Sequence, residues 1–288
     1  MALPATCYLN GELMALASAR ISPLDRGFLF GDGVYEVVPC YGGVPFRLDA
    51  HLRRLENSLA AIGLTNPLSA GDWTEVFEQV CRGNGGGDQS LYAQVTRGCP
   101  EQRSHEFPEH SEPTIFVMSS SLPPAGAFAD GLHATLREDL RWARCDIKAV
   151  ALLPNVLLRQ EAVAAGADEA ILHRDGQITE GAASTVFLVR DGVLITPALH
   201  PGLLPGVTRE VVLELAEQHG LPFQCRPVAV EELQAADEVW LASATKEVAP
   251  VLGIDGRPVG DGAPGPVFRA MRDWFTRLRD ETARGRQT

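Results

Sequence analysis

Apolar and polar residues alternate over short stretches in the first 120 residues, which is the pattern of half-buried β-strands. Strands are predicted at residues 7–9, 12–15, 35–38, 91–96 and 114–119. A helix is predicted between an N-cap at Asp49 and a stop at Gly63. The apolar face of this helix consists of Leu52, Leu55, Leu59 and Ile62. A second helix is predicted at residues 70–82.

Residues 119–131 are small and rich in proline, and we interpret them as a connector between two domains. The predicted parts are a small N-terminal α+β domain at 1–120, a linker at 121–130 and a larger C-terminal domain at 131–288. The second domain is predicted to contain strands at 169–173, 185–189, 193–196 and 238–242, and helices at 155–165, 207–219, 231–235 and 264–278. Short strands with flanking helices favour an α+β fold with mixed or antiparallel sheets over a doubly wound α/β sheet.

One lysine stands in an apolar stretch of the chain. Lys148 is followed by the five apolar residues 149–153, and Trp142 precedes it by six positions. Burial among such residues disfavours the ammonium form and lowers the pKa of the amine, as attack on a carbonyl requires, so Lys148 is a candidate Schiff-base residue. The other interpretation is a lysine whose stem covers apolar surface while its charge reaches water, and this stretch alone favours it.

Two later stretches supply the other parts of a cofactor site. Glu180 precedes Gly181 and further small residues, which let a flat ligand approach the backbone. A carboxylate there would keep a pyridine nitrogen protonated. A helix opens at Gly206, Val207 and Thr208, where free N–H groups and the helix dipole favour a phosphate. A lysine, an acid and a phosphate site together predict pyridoxal 5'-phosphate as cofactor.

The loop at residues 97–108 is too polar and too rich in proline for a core element. It carries two cations within three residues, Arg103 and His105. A guanidinium can bind a carboxylate through two parallel hydrogen bonds, so this loop is a candidate for anion recognition. In an arbitrary loop, incidental charge exposed to solvent would be the better interpretation.

Composition and charge narrow the class of protein. The chain has 288 residues, of which 45% are hydrophobic and 22% charged, as in ordinary globular proteins. Its net charge of −12 argues against nucleic acid or an anionic membrane as a partner. No apolar run reaches the roughly 20 residues of a membrane span, and no secretory signal is recognised. Six scattered cysteines without metal-ligand spacing are typical of a cytoplasmic protein with free thiols and no metal site.

The chain resembles the fold-type IV pyridoxal-phosphate aminotransferases, and among them most closely the D-amino-acid transaminases. The resemblance rests on the order of DRGFLFGDGVYEVV (25–38), HLRRL (51–55), Lys148, TEGAAST (179–185) and LPGVTRE (204–210). It extends from about Tyr8 to the last predicted helix. It implies a two-domain enzyme with the cofactor between the domains, and a homodimer whose second subunit completes each active site.

The resemblance also implies roles for individual residues at the cofactor. Lys148 is expected to form the Schiff base and to move a proton, and Glu180 is expected to hold the pyridine nitrogen. The phosphate is expected to contact Arg54, Val207, Thr208 and Ser243. Leu204 is expected to pack against the ring. Ala244 stands where relatives commonly offer a hydroxyl group to the phosphate.

Substrate contacts are implied for four residues, Tyr35, Val37, Arg103 and His105. The Tyr35 hydroxyl and the side chains of Arg103 and His105 are expected to bind the α-carboxylate. The loop has one more residue between Gly98 and Arg103 than the RGxxxRxH pattern of the D-amino-acid transaminases.

Transamination of D-amino acids, with D-alanine and 2-oxoglutarate giving pyruvate and D-glutamate, is the leading hypothesis. The alternatives within the same fold are a branched-chain L-amino-acid transaminase, an (R)-amine transaminase and an aminodeoxychorismate lyase. A non-enzymatic scaffold that only binds pyridoxal 5'-phosphate is disfavoured, because Lys148, Glu180 and the phosphate helix are all retained.

Overall fold

The computed structural model describes residues 5–110 and 112–285, which form two compact units. The first unit contains the residues up to Leu122, the segment Ile147–Ala151 and the residues from Arg279 onward. The second unit contains Pro123–Asp146 and Leu152–Leu278. Lys148 therefore belongs to the first unit, although the residues before and after its segment belong to the second. The outer ends of the predicted domains, 1–4 and 286–288, lie outside the described part of the chain.

The first unit is an antiparallel sheet with three helices. Its elements are β1 (Thr6–Leu9), β2 (Glu12–Ala15), α1 (Arg26–Phe30), β3 (Gly33–Tyr41), β4 (Val44–Pro45), α2 (Leu48–Ala61), α3 (Ala70–Gly83), β5 (Gln89–Thr96) and β6 (Thr114–Ser121). Among the described residues the sheet has six strands in the order β2-β1-β6-β5-β3-β4. Neighbouring strands all run antiparallel.

Alternation along β3 decides which of its side chains enter the core. Val34 and Val38 are fully buried, whereas Tyr35 and Val37, on the other face, are half-buried. The leucine face of α2 and the apolar face of α3 cover the inner face of the sheet. Burial of each such large side chain stabilises the fold by about 1.5–3 kcal/mol, so this core holds β3 firmly.

Two predictions near the start of the first unit are wrong. The stretch before β3, in which no helix is predicted, contains the short helix α1, whose N-cap Asp25 accepts a hydrogen bond from the Gly27 N–H. Asp49 is not the N-cap of α2, because the helix begins at Leu48 after Arg47 and Asp49 lies in its first turn. There the carboxylate still faces the positive end of the helix dipole. The helix ends at Ala61, and Gly63, the predicted stop, lies two residues beyond with φ +65°.

The second unit is built on a mixed sheet. The remaining elements of the chain are β7 (Leu132–Glu138), α4 (Leu153–Ala164), β8 (Glu169–Arg174), β9 (Gln177–Gly181), β10 (Thr185–Arg190), β11 (Val193–Thr196), α5 (Val207–Gln218), β12 (Phe223–Cys225), α6 (Val230–Gln234), β13 (Glu238–Ser243), β14 (Glu247–Ile254), β15 (Arg257–Pro258) and α7 (Pro266–Ala283). The strand order in the described chain is β12-β11-β10-β13-β14-β7-β8-β9, with β15 paired to β14. Three neighbouring pairs are parallel, β14 with β7, β7 with β8, and β11 with β12. The predicted α+β class is confirmed.

Candidate active site

Lys148 is held against the sheet of the first unit. The Tyr35 N–H donates to the Lys148 carbonyl at 2.9 Å, and the Val150 N–H donates to the Gly33 carbonyl at 3.0 Å. The Lys148 N–H donates to the hydroxyl of Ser58 on α2 at 3.2 Å. The Lys148 Nζ lies 4.2 Å from the centre of the Tyr35 ring. Two elements therefore fix the backbone of the lysine and hold its amine next to Tyr35.

Of the two interpretations of the Lys148 stretch, full burial among apolar residues is not what the structure shows. Lys148, Ala149 and Val150 are only half-buried, Ala151 is exposed, and the Trp142 side chain is 52% exposed. The segment runs along the edge of β3, where it bonds to Gly33 and Tyr35 through its backbone. The side chains of such a segment are covered on one side only. The amine thus stays accessible to a ligand.

A buried ionic cluster lies on the core face of β3, behind Tyr35. The Glu36 carboxylate accepts hydrogen bonds from Arg54 Nε at 2.7 Å and Arg54 Nη2 at 2.8 Å, and lies 2.8 Å from His51 Nδ1. Burial alone would raise the pKa of Glu36, but Arg54 and His51 lower it well below its usual range. Burial also lowers the pKa of His51. Sequence reasoning assigned Arg54 to a phosphate but missed Glu36, which orients its guanidinium.

Arg103 and His105 both lie against one aromatic ring, that of Phe30. The Arg103 guanidinium is 4.8 Å from the centre of the Phe30 ring, and the His105 ring is 5.1 Å from it. Both side chains are exposed. The longer loop therefore still brings the two predicted carboxylate-binding residues together, in the first unit of the chain.

Glu180 lies one residue before the end of β9, in the second unit, and is buried among hydrogen-bond donors. Its carboxylate contacts Arg141 Nη1 and accepts a hydrogen bond from the Leu204 N–H at 3.2 Å. Arg141 also binds Asp139, through Nε at 2.9 Å and Nη2 at 2.8 Å. Burial raises the pKa of Glu180, and the charge of Arg141 opposes this rise. The structure thus brings Glu180 and Leu204 together, and adds Arg141 and Asp139, which sequence reasoning missed.

Apart from Arg54, the residues predicted to bind the phosphate lie at the start of α5 and in the turn after β13. Gly206 precedes α5 without a side-chain cap, so the N–H groups of Val207 and Thr208 have no intrahelical acceptor. A Cβ at Gly206 would come within 2.9 Å of the Thr185 hydroxyl, so glycine permits this close approach to β10. In the turn, the Ser243 hydroxyl accepts a hydrogen bond from the Lys246 N–H at 3.2 Å. Ala244 follows it and offers no hydroxyl.

Neither a metal site nor a membrane-spanning helix is found among the described residues. They contain no group of three or more His, Cys, Asp and Glu side chains that could hold a metal ion. No helix among them is both long and apolar enough to cross a bilayer.

Comparison with known proteins places this geometry in a family. The family model described as amino-transferase class IV matches residues 33–254, which include Lys148, Glu180 and the start of α5. The chain belongs to the class IV aminotransferases. The predicted resemblance to the fold-type IV enzymes is thereby confirmed.

Curated relatives and a solved structure agree with the class IV assignment. The chain is 40% identical over 264 residues to the D-alanine aminotransferase of Bacillus licheniformis, covering 91% of this chain and 93% of that one. It is 38% identical over 270 residues to the D-alanine aminotransferase of Staphylococcus aureus (strain COL), covering 93% and 95%. The branched-chain aminotransferase of Thermobaculum terrenum in its PLP form superposes with a TM-score of 0.87 at 28% identity, over 99% of this chain and 95% of that one.

Proposed function

We propose that this class IV aminotransferase transfers the amino group of D-amino acids to 2-oxo acids. The expected reaction converts D-alanine and 2-oxoglutarate to pyruvate and D-glutamate. The observation that carries the proposal is the pair Arg103 and His105, which the structure brings together beside Phe30, since the resemblance to the D-amino-acid transaminases implies that these two side chains bind the α-carboxylate. Relatives at 38–40% identity over more than nine-tenths of the chain are D-alanine aminotransferases, which supports the same substrate class.

The cofactor is pyridoxal 5'-phosphate. When bound, it supplies an aldehyde that condenses with amines and a pyridine ring that accepts electrons when the Cα proton leaves. We assign the covalent anchor to Lys148, one of only two lysines in the chain, the other being Lys246. The Lys148 amine, next to Tyr35, is assigned as the base that takes the proton from Cα and delivers it to the cofactor carbon C4'.

The donor set around Glu180 fits a pyridine nitrogen. Each oxygen of a carboxylate accepts two hydrogen bonds, so Oε2 has room for an N–H besides that of Leu204. The charge of Arg141 favours the ionised form of this buried carboxylate. We therefore assign Glu180 to the pyridine nitrogen and Leu204 to the face of the ring.

The phosphate is assigned to the N–H groups of Val207 and Thr208, the hydroxyl groups of Thr208 and Ser243, and the guanidinium of Arg54. An uncapped helix start suits an anion, because unpaired N–H groups and the helix dipole act together. Arg54 supplies a positive charge, and its hydrogen bonds to Glu36 set the orientation of its guanidinium. Ala244 contributes only its backbone.

The amino acid is assigned to Tyr35, Val37, Arg103 and His105, with the carboxylate on Tyr35, Arg103 and His105. Tyr35 and Val37 point to the same face of β3, away from the core, and Lys148 adjoins Tyr35. A branched-chain L-amino acid is the second candidate substrate, because solved branched-chain aminotransferases superpose over nearly the whole chain.

Product analysis tests the proposal. The purified enzyme with D-alanine and 2-oxoglutarate should form pyruvate and D-glutamate in equal amounts, resolved by chiral chromatography. K148A should form neither, whereas K246R, which changes the other lysine, should retain the reaction. Formation of L-glutamate from L-leucine, with no D-glutamate from D-alanine, would instead assign the branched-chain reaction. The amine, lyase and scaffold alternatives predict neither product.

We also propose a homodimer, in which Arg103 and His105 serve the active site of the second subunit. Large apolar side chains are exposed beside this pair, Phe28 at 76% and Phe107 at 63%. The second unit exposes Leu153 at 68%, next to the exposed Val156 and Leu157 of α4. Exposed apolar groups of this size are typical of subunit interfaces. Sedimentation should give a dimer, and a fully active monomer would contradict this proposal.

A cytoplasmic location is part of the proposal. All six cysteines are free of disulfides, as is usual in a reducing compartment. The net charge of −12 further disfavours nucleic acid as a partner.

A further inference from the structure

Arg26 is a buried arginine that reaches the backbone of the substrate loop, here defined as residues 97–107. Only 3% of Arg26 is exposed. Its Nη1 donates to the carbonyl of Ser104 at 2.6 Å and to that of Glu106 at 3.1 Å, and its Nη2 donates to the carbonyl of His105 at 3.3 Å. Its Nε donates to Asp32 at 2.7 Å. One guanidinium therefore holds three successive carbonyl groups of the loop.

The position of Arg26 is fixed by the sequence around it. Asp25 caps α1 through the Gly27 N–H at 2.8 Å and also accepts hydrogen bonds from Thr96 and Thr114. A Cβ at Gly27 would lie 2.3 Å from Thr96 Cγ2, so only glycine lets α1 lie this close to β5. The helix that carries Arg26 is thereby anchored to the sheet.

The start of the substrate loop is tied to the Asp32 carboxylate, which Arg26 also binds. Arg97 donates to Asp32 through Nε at 2.8 Å and through Nη2 at 3.1 Å, so two guanidinium groups share one acid. The Arg97 guanidinium also lies 3.6 Å from the centre of the Phe107 ring, at the end of the loop. Burial would raise the pKa of Asp32, but Arg97 and Arg26 lower it, so the acid remains charged. Asp32, Arg26 and Arg97 thus brace the loop at its beginning and near its end.

Phe30 connects this brace to the residues proposed to bind substrate. Its ring lies 4.9 Å from the Arg26 guanidinium, 4.8 Å from that of Arg103 and 5.1 Å from the ring of His105. Arg103 and His105 are exposed and lie in a segment without helix or strand. Without the Arg26 hydrogen bonds, binding a carboxylate would require ordering of these residues at an entropic cost.

We propose that Arg26 is a positioning residue for carboxylate recognition. By holding the carbonyl groups of residues 104–106, it presets Arg103 and His105 around Phe30 before the substrate arrives. This inference rests on the proposed function, because it takes Arg103 and His105 as the residues that bind the α-carboxylate. It accounts for how a loop with one extra residue still presents both side chains.

Two substitutions of Arg26 test the inference. R26K keeps a positive charge near Asp32 but cannot donate to three carbonyl groups at once, because lysine lacks the planar set of donors of a guanidinium. R26Q removes the charge as well. Each should raise KM for D-alanine and for 2-oxoglutarate by about tenfold, the loss expected when charge-assisted hydrogen bonds no longer order the loop. The value of kcat should change much less. R20Q is the matched control, because Arg20 is exposed and donates to the carbonyls of Ala17 and Ala19 only.

Two further readouts separate positioning from a merely structural role. Amide hydrogen exchange in residues 98–107 should accelerate in R26K, while exchange in α2 and α3 stays unchanged. The half-reaction of a primary amine without a carboxylate, measured in R26K with no 2-oxo acid present, should proceed at the wild-type rate, because nothing in that substrate needs Arg103. An equal loss with the amine and with D-alanine would overturn the inference. Where R26Q does not fold, R26K decides.

The R103A variant separates this inference from the proposed function. One outcome is that KM increases in R103A, whereas R26K changes neither KM nor the hydrogen exchange of the loop. That outcome would refute positioning by Arg26 and leave the proposed function intact. Unchanged KM in R103A itself would refute the proposed carboxylate site, and the Arg26 inference would fall with it.

Discussion

At the scale of single residues, the proposed role of Glu180 depends on its neighbour Arg141. A carboxylate can hold a protonated pyridine only while it is ionised, and burial of Glu180 works against ionisation by raising its pKa. Arg141 opposes this effect from direct contact. Asp139 in turn binds Arg141 through two nitrogens, and the Thr179 hydroxyl donates to Asp139 at 2.9 Å. Asp139 and Arg141, which support Glu180, shortly precede Lys148 in the sequence.

Replacement of Arg141 should therefore shift the pH dependence of proton removal from Cα. R141M removes the charge that lowers the pKa of Glu180, so the pKa rises and the acidic limb of the rate profile moves to higher pH. An opposite charge in contact typically changes a pKa by about 1–3 units, so a shift of roughly one pH unit or more is expected. Single-turnover rates measured across pH give the limb directly. R141K should shift it less.

R144Q is the matched control for this experiment, because Arg144 is exposed and binds only Asp146, at 2.9 Å. An acidic limb that stays in place in R141M would mean that other groups keep Glu180 ionised. The account of Arg141 would then be wrong.

Lys148 and Glu180 are candidates from the sequence because the signal lies in their immediate neighbours along the chain. The residues that orient the site could not be predicted, because their partners are remote. Glu36 and Arg54 are 18 positions apart, Arg141 and Glu180 are 39 apart, and Asp32 and Arg97 are 65 apart. One signal was available for Glu36, since it shares a strand face with Val34 and Val38. A charge on a core face requires a partner.

At the scale of secondary structure, elements with a clear period were predicted and elements with mixed signals were not. The helices α2, α3 and α5 follow from apolar residues three and four apart, and β10 and β11 from apolar runs around the turn at Asp191 and Gly192. β14 was missed. It contains Pro250, which argues against an inner strand because proline has no N–H to donate. In the sheet, Pro250 lies opposite Trp240 of β13.

Short elements at the site were also missed, and both matter for function. β9 was not predicted as a strand, although Glu180 lies in it, because its five residues are too few for a clear alternation. α1 also has five residues, and its N-cap Asp25 is followed by glycine and aromatic residues that favour a turn or strand. Tertiary contacts, those of Asp25 with Thr96 and Thr114, stabilise this helix.

At the scale of the whole molecule, chain order and compact units do not coincide. The segment Ile147–Ala151 belongs to the first unit while its flanks belong to the second, so Lys148 is fixed by β3 and α2 rather than by its neighbours in sequence. Local apolar character therefore made Lys148 a candidate but did not predict its surroundings. No pattern within residues 141–155 encodes contact with Ser58 or Gly33. Such long-range pairing is the part of the fold that periodicity does not report.

The central claim is that one enzyme binds pyridoxal 5'-phosphate and accepts the amino group of D-amino acids. The most direct test follows the visible absorption of the purified protein while D-alanine or L-leucine is added in separate cuvettes, without a 2-oxo acid. We expect the first additions of D-alanine to abolish the absorption of the lysine-bound cofactor. L-leucine should leave this absorption unchanged. Loss of the absorption with L-leucine alone, or no change with either amino acid, would contradict the claim.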